Sequence, residues 1–593
     1  MSKRRVALLA VVLSLILAST LSACCCGIRP MPRGRKSQPR SGDSDPQKVS
    51  SEEEPGCGGT RLEIVSGSEN KIYAADIQEW GCDNGYQIVF WWKGSVDISR
   101  VLSDPEQYKN YHAAMAANSL WHRLGDVNNV LRYEESIYTS PIVFVAEQKT
   151  GITNELGWTG NTLELEQIVT AAEEGKITFG ITSATQSNSG NNMFMAILDY
   201  ARNLAGYDKS PTLTEEMLQD PEVSGYVERV LAQVHRSSAS TGFLGEVFER
   251  QYPELTGVFV YETIAIEAIR NLEAEGVKQD NLPRIYYVVD AVAEANAPLA
   301  LISHEGVSEK QEQAFLHLQE WLLSNEGQLM LFNYGARVRN LNTYSDAEIE
   351  RVFSPKTTGA DIDLVLMAAP IPREPEIIRS AMNYYQTEWR RASCTAIVTD
   401  HSGSMNDNVQ VVTETGETLS TSGGDQLTKA LNRLLDQGYA SEYYLQATPG
   451  DYLVVVPFTN NVERSQIVEI EGNDRQVYEQ KLDLINQVPY GGGTNMYAGI
   501  EVALDYMLQN CTTDQLPAVI LMTDGMSGGN FRSMRRAWND YYESTGYRVP
   551  IYSITFGNAD KRQLNDIADL TLGDVFDGTS DLWTAFAKAK GNN

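Results

Sequence analysis

Histidine, cysteine and positive charge are all scarce in this chain. Its 593 residues include 6 His and 7 Cys, and 48 Lys and Arg stand against 78 Asp and Glu, for a formal charge of −30. A phosphate backbone is met by clustered Lys and Arg, so this balance excludes nucleic acid and leaves cations, cationic surfaces or neutral ligands as partners. Few histidines leave little for acid–base chemistry, and none stands in a recognisable catalytic motif. Asp400-His401-Ser402-Gly403-Ser404 lacks the flanking glycines of a nucleophile turn, and His304-Glu305 lacks the second His of a zinc helix. The expectation is a protein that is not an enzyme. A solenoid-type repeat is also missing.

The cysteines that are present indicate a destination. Lys3, Arg4 and Arg5 precede an apolar run from Val6 to Ala18 and then small residues, the layout of a secretory signal and too short for a comfortable membrane span. Leu21-Ser22-Ala23-Cys24 resembles the bacterial lipobox. That resemblance implies a signal peptide over 1–23, lipidation of Cys24, and a protein anchored on the extracytoplasmic face of a membrane; a plain signal or short membrane anchor is the alternative. Residues 24–59 are rich in Pro, Ser, Gly and charge and read as a tether. Its basic end, Arg29 to Arg40, would either rest on anionic headgroups or stay solvated. Export favours disulfides among Cys57, Cys82, Cys394 and Cys511, against free buried thiols. Cys57 with Cys82 would close a local loop.

From residue 60 to 341 short β-branched or aromatic runs alternate with helical ones: Leu62 to Val65, Tyr86 to Trp92, Ile142 to Ala146 and Ile177 to Ile181. That is an α/β pattern. Polar loops open the helices at Ser66-Gly67-Ser68-Glu69-Asn70, Gly94-Ser95-Val96-Asp97 and Thr185 to Gly190, where free backbone N–H groups would hold an anion or polar ligand. With Thr139-Ser140-Pro141 entering a hinge strand, Tyr261-Glu262 after another, and Gly335-Ala336-Arg337 near the end, the order resembles a two-lobed periplasmic solute-binding protein. The resemblance implies a small-molecule or anion ligand near Ser66, Ser68, Ser95, Ser140, Ser187, Ser189 and Tyr261. Capping alone would also account for Ser and Gly at these helix starts. Residues 342–393 read as a connector whose helix, Glu376 to Arg391, would set the orientation of the next unit.

In the last third, Thr395 to Thr399 form an apolar strand that runs into Asp400-His401-Ser402-Gly403-Ser404. In an open parallel sheet, ligands gather beyond the carboxyl ends of the strands. Gly491-Gly492-Gly493-Thr494-Asn495 opens a second helix, and Ala518 to Thr523 form a strand ending in Asp524. Carboxylates and hydroxyls suit hard cations, chiefly Mg²⁺ with Ca²⁺ or Mn²⁺ competing, and exclude the His and Cys set of zinc. Asp400, Ser402, Ser404, Thr494 and Asp524 resemble the metal-ion-dependent adhesion site of von Willebrand factor type A domains. This resemblance covers 394–593 and implies a doubly wound, Rossmann-like fold and an open metal position filled by a protein partner's Asp or Glu. Neighbouring first and fourth strands would bring Cys394 and Cys511 together at the far end of the sheet. A segment from Val409 to Gly424, turning at Gly416, reads as a hairpin at the rim of the site, serving partner choice or merely tolerated there. The whole reads as a metal-dependent adhesion or recognition protein with a receptor-like sensing unit. The alternative is the solute-binding component of a transport system, docked through its C-terminal unit.

Overall fold

The computed structural model describes residues 56–372, 374–412, 418–556, 561–578, 585–586 and 589–590. The signal, Cys24 and nearly all of the tether lie outside these residues. The architecture is α/β throughout, with a two-lobed unit followed by a doubly wound one. Among the described residues no helix is long and apolar enough to cross a membrane.

The first lobe is a five-stranded sheet in the order Tyr86–Lys93, Thr60–Gly67, Ala113–Met115, Pro298–Ile302, Leu131–Ser136. Its first three strands are parallel, and Leu62, Ile64 and Val65 sit opposite Ile88, Phe90 and Trp91. Such runs stay apolar on both sides because helices cover both faces of a parallel sheet. The second lobe orders Thr162–Leu163, Arg284–Val288, Ser140–Ala146, Gly257–Tyr261, Phe179–Thr182 and Val234–Ser238, with Glu294–Ala295 added beside Ser140–Ala146. The chain crosses between lobes after Ser136 and again between Ala295 and Pro298. It crosses a third time after the helix Asn325–Asn333, where Arg337 pairs with Thr139 at the hinge.

Arg337 also anchors the next stretch of chain. Its guanidinium meets Glu262 at 2.7 Å and donates to the carbonyl of Asp361 at 2.7 Å. Glu262 is fully buried and accepts from Tyr287 as well; burial raises its carboxyl pKa while Arg337 pulls it down. Thr358 and Val292 bond to Ile285 and Ala369, so the stretch up to about residue 372, read from sequence as connector, lies along the second lobe. The connecting helix starts at Pro375, whose missing N–H costs nothing at a first turn. It runs to Tyr384 and continues as one π turn over Tyr385–Trp389, burying Ile378, Ala381, Met382, Tyr385 and Trp389. Trp389 donates to Ser224 of the second lobe at 2.7 Å, and Gln386 to the carbonyl of Gln446 in the C-terminal unit at 2.7 Å.

The C-terminal sheet runs Val468–Glu471, Tyr452–Phe458, Ala392–Asp400, Gln515–Thr523, Ile551–Thr555, Val575–Asp577, parallel except for its first strand. Cys394 lies inside the central strand and Cys511 caps the helix Met496–Asn510; they are bonded with Cα atoms 5.8 Å apart, at the amino end of the sheet. Cys57 and Cys82 are likewise bonded, with Cα atoms 5.6 Å apart, so the folded unit begins within the stretch assigned to the tether.

The two units meet at that same amino end. Arg391, just before the central strand, donates to the carbonyl of Val234 at 2.6 Å. Tyr547, before Ile551–Thr555, donates to the carbonyl of His235. Leu572, before Val575–Asp577, accepts from the buried Arg236 at 2.9 Å. Tyr443, before Tyr452–Phe458, accepts from Gln186 of the second lobe at 3.2 Å and lies under Arg100 of the first lobe at 4.6 Å. Each of these segments precedes a parallel strand, so the carboxyl ends of the sheet point away from the two-lobed unit.

Candidate metal centre

Strand register brings the first groups together. Thr399 is opposite Met522 in the parallel pair, which sets Thr523 beside Asp400 and Asp524 one residue beyond. Asp400 accepts from the Thr523 hydroxyl at 2.6 Å through Oδ2 and from the Ser402 N–H at 2.8 Å through Oδ1. The Ser402 and Ser404 hydroxyls are 3.0 Å apart, and Ser404 donates to Asp524 Oδ1 at 2.9 Å. A continuous hydrogen-bonded line therefore joins Asp400, through the Ser402 N–H and the Ser402 and Ser404 hydroxyls, to Asp524. Thr494 faces the same place: a methyl group at Gly525 would lie 3.6 Å from Ser404 Oγ and 3.7 Å from Thr494 Oγ1.

The glycine loop makes this approach feasible. Gly492 has φ +79°, a conformation that a side chain strains, and its carbonyl accepts from the Gly403 N–H at 3.0 Å. Gly491 donates to the His401 carbonyl at 2.8 Å, so the two loops are stitched backbone to backbone. Asn495 then caps the helix Met496–Asn510 by accepting from Ala498 at 3.2 Å.

Electrostatics favour a cation at this place. Asp400 is fully buried, and burial raises its carboxyl pKa against the hydrogen bonds from Ser402 and Thr523. Asp524 is pushed up to about 6 by burial, with the charges of Asp400 and Asp407 adding to the effect. None of the ion pairs among the described residues brings a Lys or Arg to either acid, so among these residues the two carboxylates have no counter-charge. Two carboxylates and three hydroxyls are the donors a hard cation takes, and the residues fit one. No cluster of three or more His, Cys, Asp and Glu able to hold a metal occurs among the described residues, so hydroxyls are indispensable to this set. His401 turns away and stacks on Tyr490 at 4.7 Å; burial pushes its imidazole down to about 4.

Two residues of the site escape a reading of the sequence. Thr523 reads only as the end of a strand, and the signal that finds it is the parallel register with Asp400. Gly525-Met526-Ser527-Gly528-Gly529 spells G-x-S-x-G after a strand. The Ser527 hydroxyl accepts from the backbone N–H groups of Met496 at 3.2 Å and Gly529 at 3.3 Å, tying the Asp524 loop to the Thr494 loop. The hairpin forms as Asn408–Val412 against Thr418–Ser422, while Gly416 lies outside the described residues. Its base abuts the site, since a methyl at Gly423 would come within 3.5 Å of Asp524 Oδ2.

The residues singled out in the two-lobed unit lie at the loops around the crevice and the hinge, and their hydroxyls are engaged by the protein. Ser66 accepts from Asn70 at 3.2 Å, Ser95 from the Ala117 N–H at 3.2 Å and Ser140 from the Thr263 N–H at 3.4 Å. Ser187 and Ser189 are 3.1 Å apart, and Ser189 is 2.7 Å from Thr182. Ser68 reaches across the crevice to Ser240 at 3.3 Å. Tyr261 accepts from Asn188 at 2.5 Å, and Asn188 in turn accepts from Trp121 of the first lobe. The lobes are closed on each other through these bonds.

Residues 395–527 match the von Willebrand factor type A domain family. Among solved structures the chain is similar to the periplasmic binding protein P5PA, with 12% identity and a TM-score of 0.40 over 56% of this chain and 100% of that one. Iron-bound HitA from Pseudomonas aeruginosa is 13% identical, with a TM-score of 0.36 over 54% and 96%. A von Willebrand factor type A protein from Catenulispora acidiphila is 16% identical, with a TM-score of 0.26 over 34% and 43%. No curated protein matches the chain.

Proposed function

We propose that this chain is a non-catalytic, lipid-anchored extracytoplasmic binding protein that recognises a protein partner through a divalent cation, Mg²⁺ foremost. Asp400, Ser402, Ser404, Thr494 and Asp524 would hold the ion, and Cys24 would carry the lipid. The observation that supports this reading most strongly is the hydrogen-bonded line from Asp400 to Asp524, to which no Lys or Arg among the described residues is paired. A hard cation held by so few charges supplies Lewis acidity toward one more carboxylate, which a partner's Asp or Glu provides. Thr523 orients Asp400, and Ser404 orients Asp524. Docking at the opposite end of the sheet leaves these loops free to meet the partner. The crevice of the two-lobed unit would hold a small molecule, so the chain carries two recognition sites.

Capture of the partner from an envelope extract, with and without chelator, tests the metal-dependent half. Binding should disappear with chelator, with Asp400→Ala and with Asp524→Ala. Capture indifferent to all three would overturn the reading.

A further inference from the structure

We propose that the cavity where the second lobe, the connecting helix and the C-terminal unit meet binds a small tetrahedral oxyanion, of the phosphate or sulfate class. It is a third site, independent of the metal centre and of the crevice. The space measures about 60 Å³. A single water needs about 10–15 Å³ of such space, so there is room for a larger polar guest. Three cations line the cavity, Arg390, Arg391 and Lys590, and among the described residues no Asp or Glu does. Ser183 and Thr185 reach it from the second lobe, with their hydroxyls 3.2 Å apart. Ser393 reaches it from the C-terminal unit.

The charges at this junction do not balance. Asp451 meets the two terminal nitrogens of Arg390 at 3.1 and 2.5 Å, and it also accepts from the Ser393 N–H at 2.7 Å and the Thr448 N–H at 2.9 Å. That carboxylate offsets one cation of the three. Arg390 still keeps its Nε sealed from solvent without a hydrogen-bond partner. Among the described residues neither Arg391 nor Lys590 has an ion pair, and both donate to backbone carbonyls. Arg391 reaches those of Val234 at 2.6 Å, Asp514 at 3.2 Å and Thr513; Lys590 reaches that of Leu445. Burial pushes the Lys590 amine down to about 8, with Asp451 opposing the shift and Arg390 adding to it. An ammonium can shed its proton to escape such a place, but a guanidinium cannot, and a bound anion relieves both. Guanidinium forks and hydroxyls are the donors that a tetrahedral oxyanion takes. Its donors come from both halves of the chain, so the anion would bridge them.

Calorimetric titration of the chelator-treated full chain with inorganic phosphate and with sodium sulfate, beside sodium chloride at matched ionic strength, tests this. A net charge of −30 disfavours general anion binding, so a saturable signal reports a local site. At least one oxyanion should bind saturably where chloride does not. Lys590→Met deletes a charged donor and should weaken that binding by about 10-fold or more. Thr185→Val keeps the volume on the opposite wall, loses only a hydroxyl, and should weaken it by about 5-fold. Weakening in either variant that still melts cooperatively supports the proposal, so a Lys590→Met chain that fails to fold leaves Thr185→Val to decide. Absence of saturable binding by both oxyanions, or binding that both folded variants leave at the parent affinity, would overturn it.

Discussion

The metal centre and the crevice use the same residue types in opposite ways. At the metal centre Ser402, Ser404 and Asp524 form a line of oxygens where, among the described residues, no Lys or Arg pairs with either carboxylate, at an end of the sheet that faces away from the two-lobed unit. In the crevice the hydroxyls of Ser66, Ser95, Ser140, Ser187 and Ser189 bond to protein groups, and Glu69 keeps a sealed, unpartnered oxygen. A polar group that is already satisfied gains little from a ligand, whereas an uncompensated charge gains much. What marks a site in this chain is missing compensation, not hydroxyl content.

Each half also has a buried Arg–carboxylate pair, and these give the sharpest test of whether the halves are separate. Arg390, at the end of the connecting helix, meets Asp451 of the C-terminal half at 2.5 Å, as Arg337 meets Glu262 in the two-lobed half. Removing one member of a buried pair costs about 3–5 kcal/mol because the other charge is stranded. Calorimetric melting should show Arg390→Ala lowering the C-terminal transition and Arg337→Ala the other. If both variants lowered a single shared transition, the halves would be one cooperative unit.

Next in size is the metal site itself. Asp524→Ala should weaken Mg²⁺ binding by about 100-fold or more, beyond the roughly 10–100-fold seen for supporting residues. It should leave the melting of the two-lobed unit unchanged, and a common loss would merge the two halves. Thr523→Val keeps the volume but deletes the hydroxyl bonded to Asp400, and titration should show a loss of about 10-fold. Smallest is the contact between Arg100 and the ring of Tyr443, which joins the first lobe to the C-terminal unit. A double-mutant cycle on Arg100→Ala and Tyr443→Leu should give a coupling of about 0.5–1 kcal/mol.

The two halves are unequally legible in the sequence. Asp400, Ser402 and Ser404 alternate within one short segment at a strand end, and Asp524 ends a second apolar strand, so spacing alone converges on the metal centre. Thr523 needs the inter-strand register, which periodicity does not supply. In the crevice the serines can be read as caps or as ligands, because backbone N–H groups at a helix start attract either. Glu69 shares a loop with Ser66 and Ser68, and nothing local singles it out. Its sealed, unpartnered Oε1 is a property of the folded chain. The docking of the C-terminal unit by its amino end is out of reach for the same reason: Arg236, His235 and Gln186 carry no local pattern that points to Leu572, Tyr547 and Tyr443.

Calorimetric titration of the chelator-treated full chain with Mg²⁺, beside Asp400→Ala and Asp524→Ala, tests the metal-centre claim most directly. One saturable site in the parent that is absent from both variants, all three still melting cooperatively before Mg²⁺ is added, is the predicted result. Equal Mg²⁺ binding in parent and variants would contradict it.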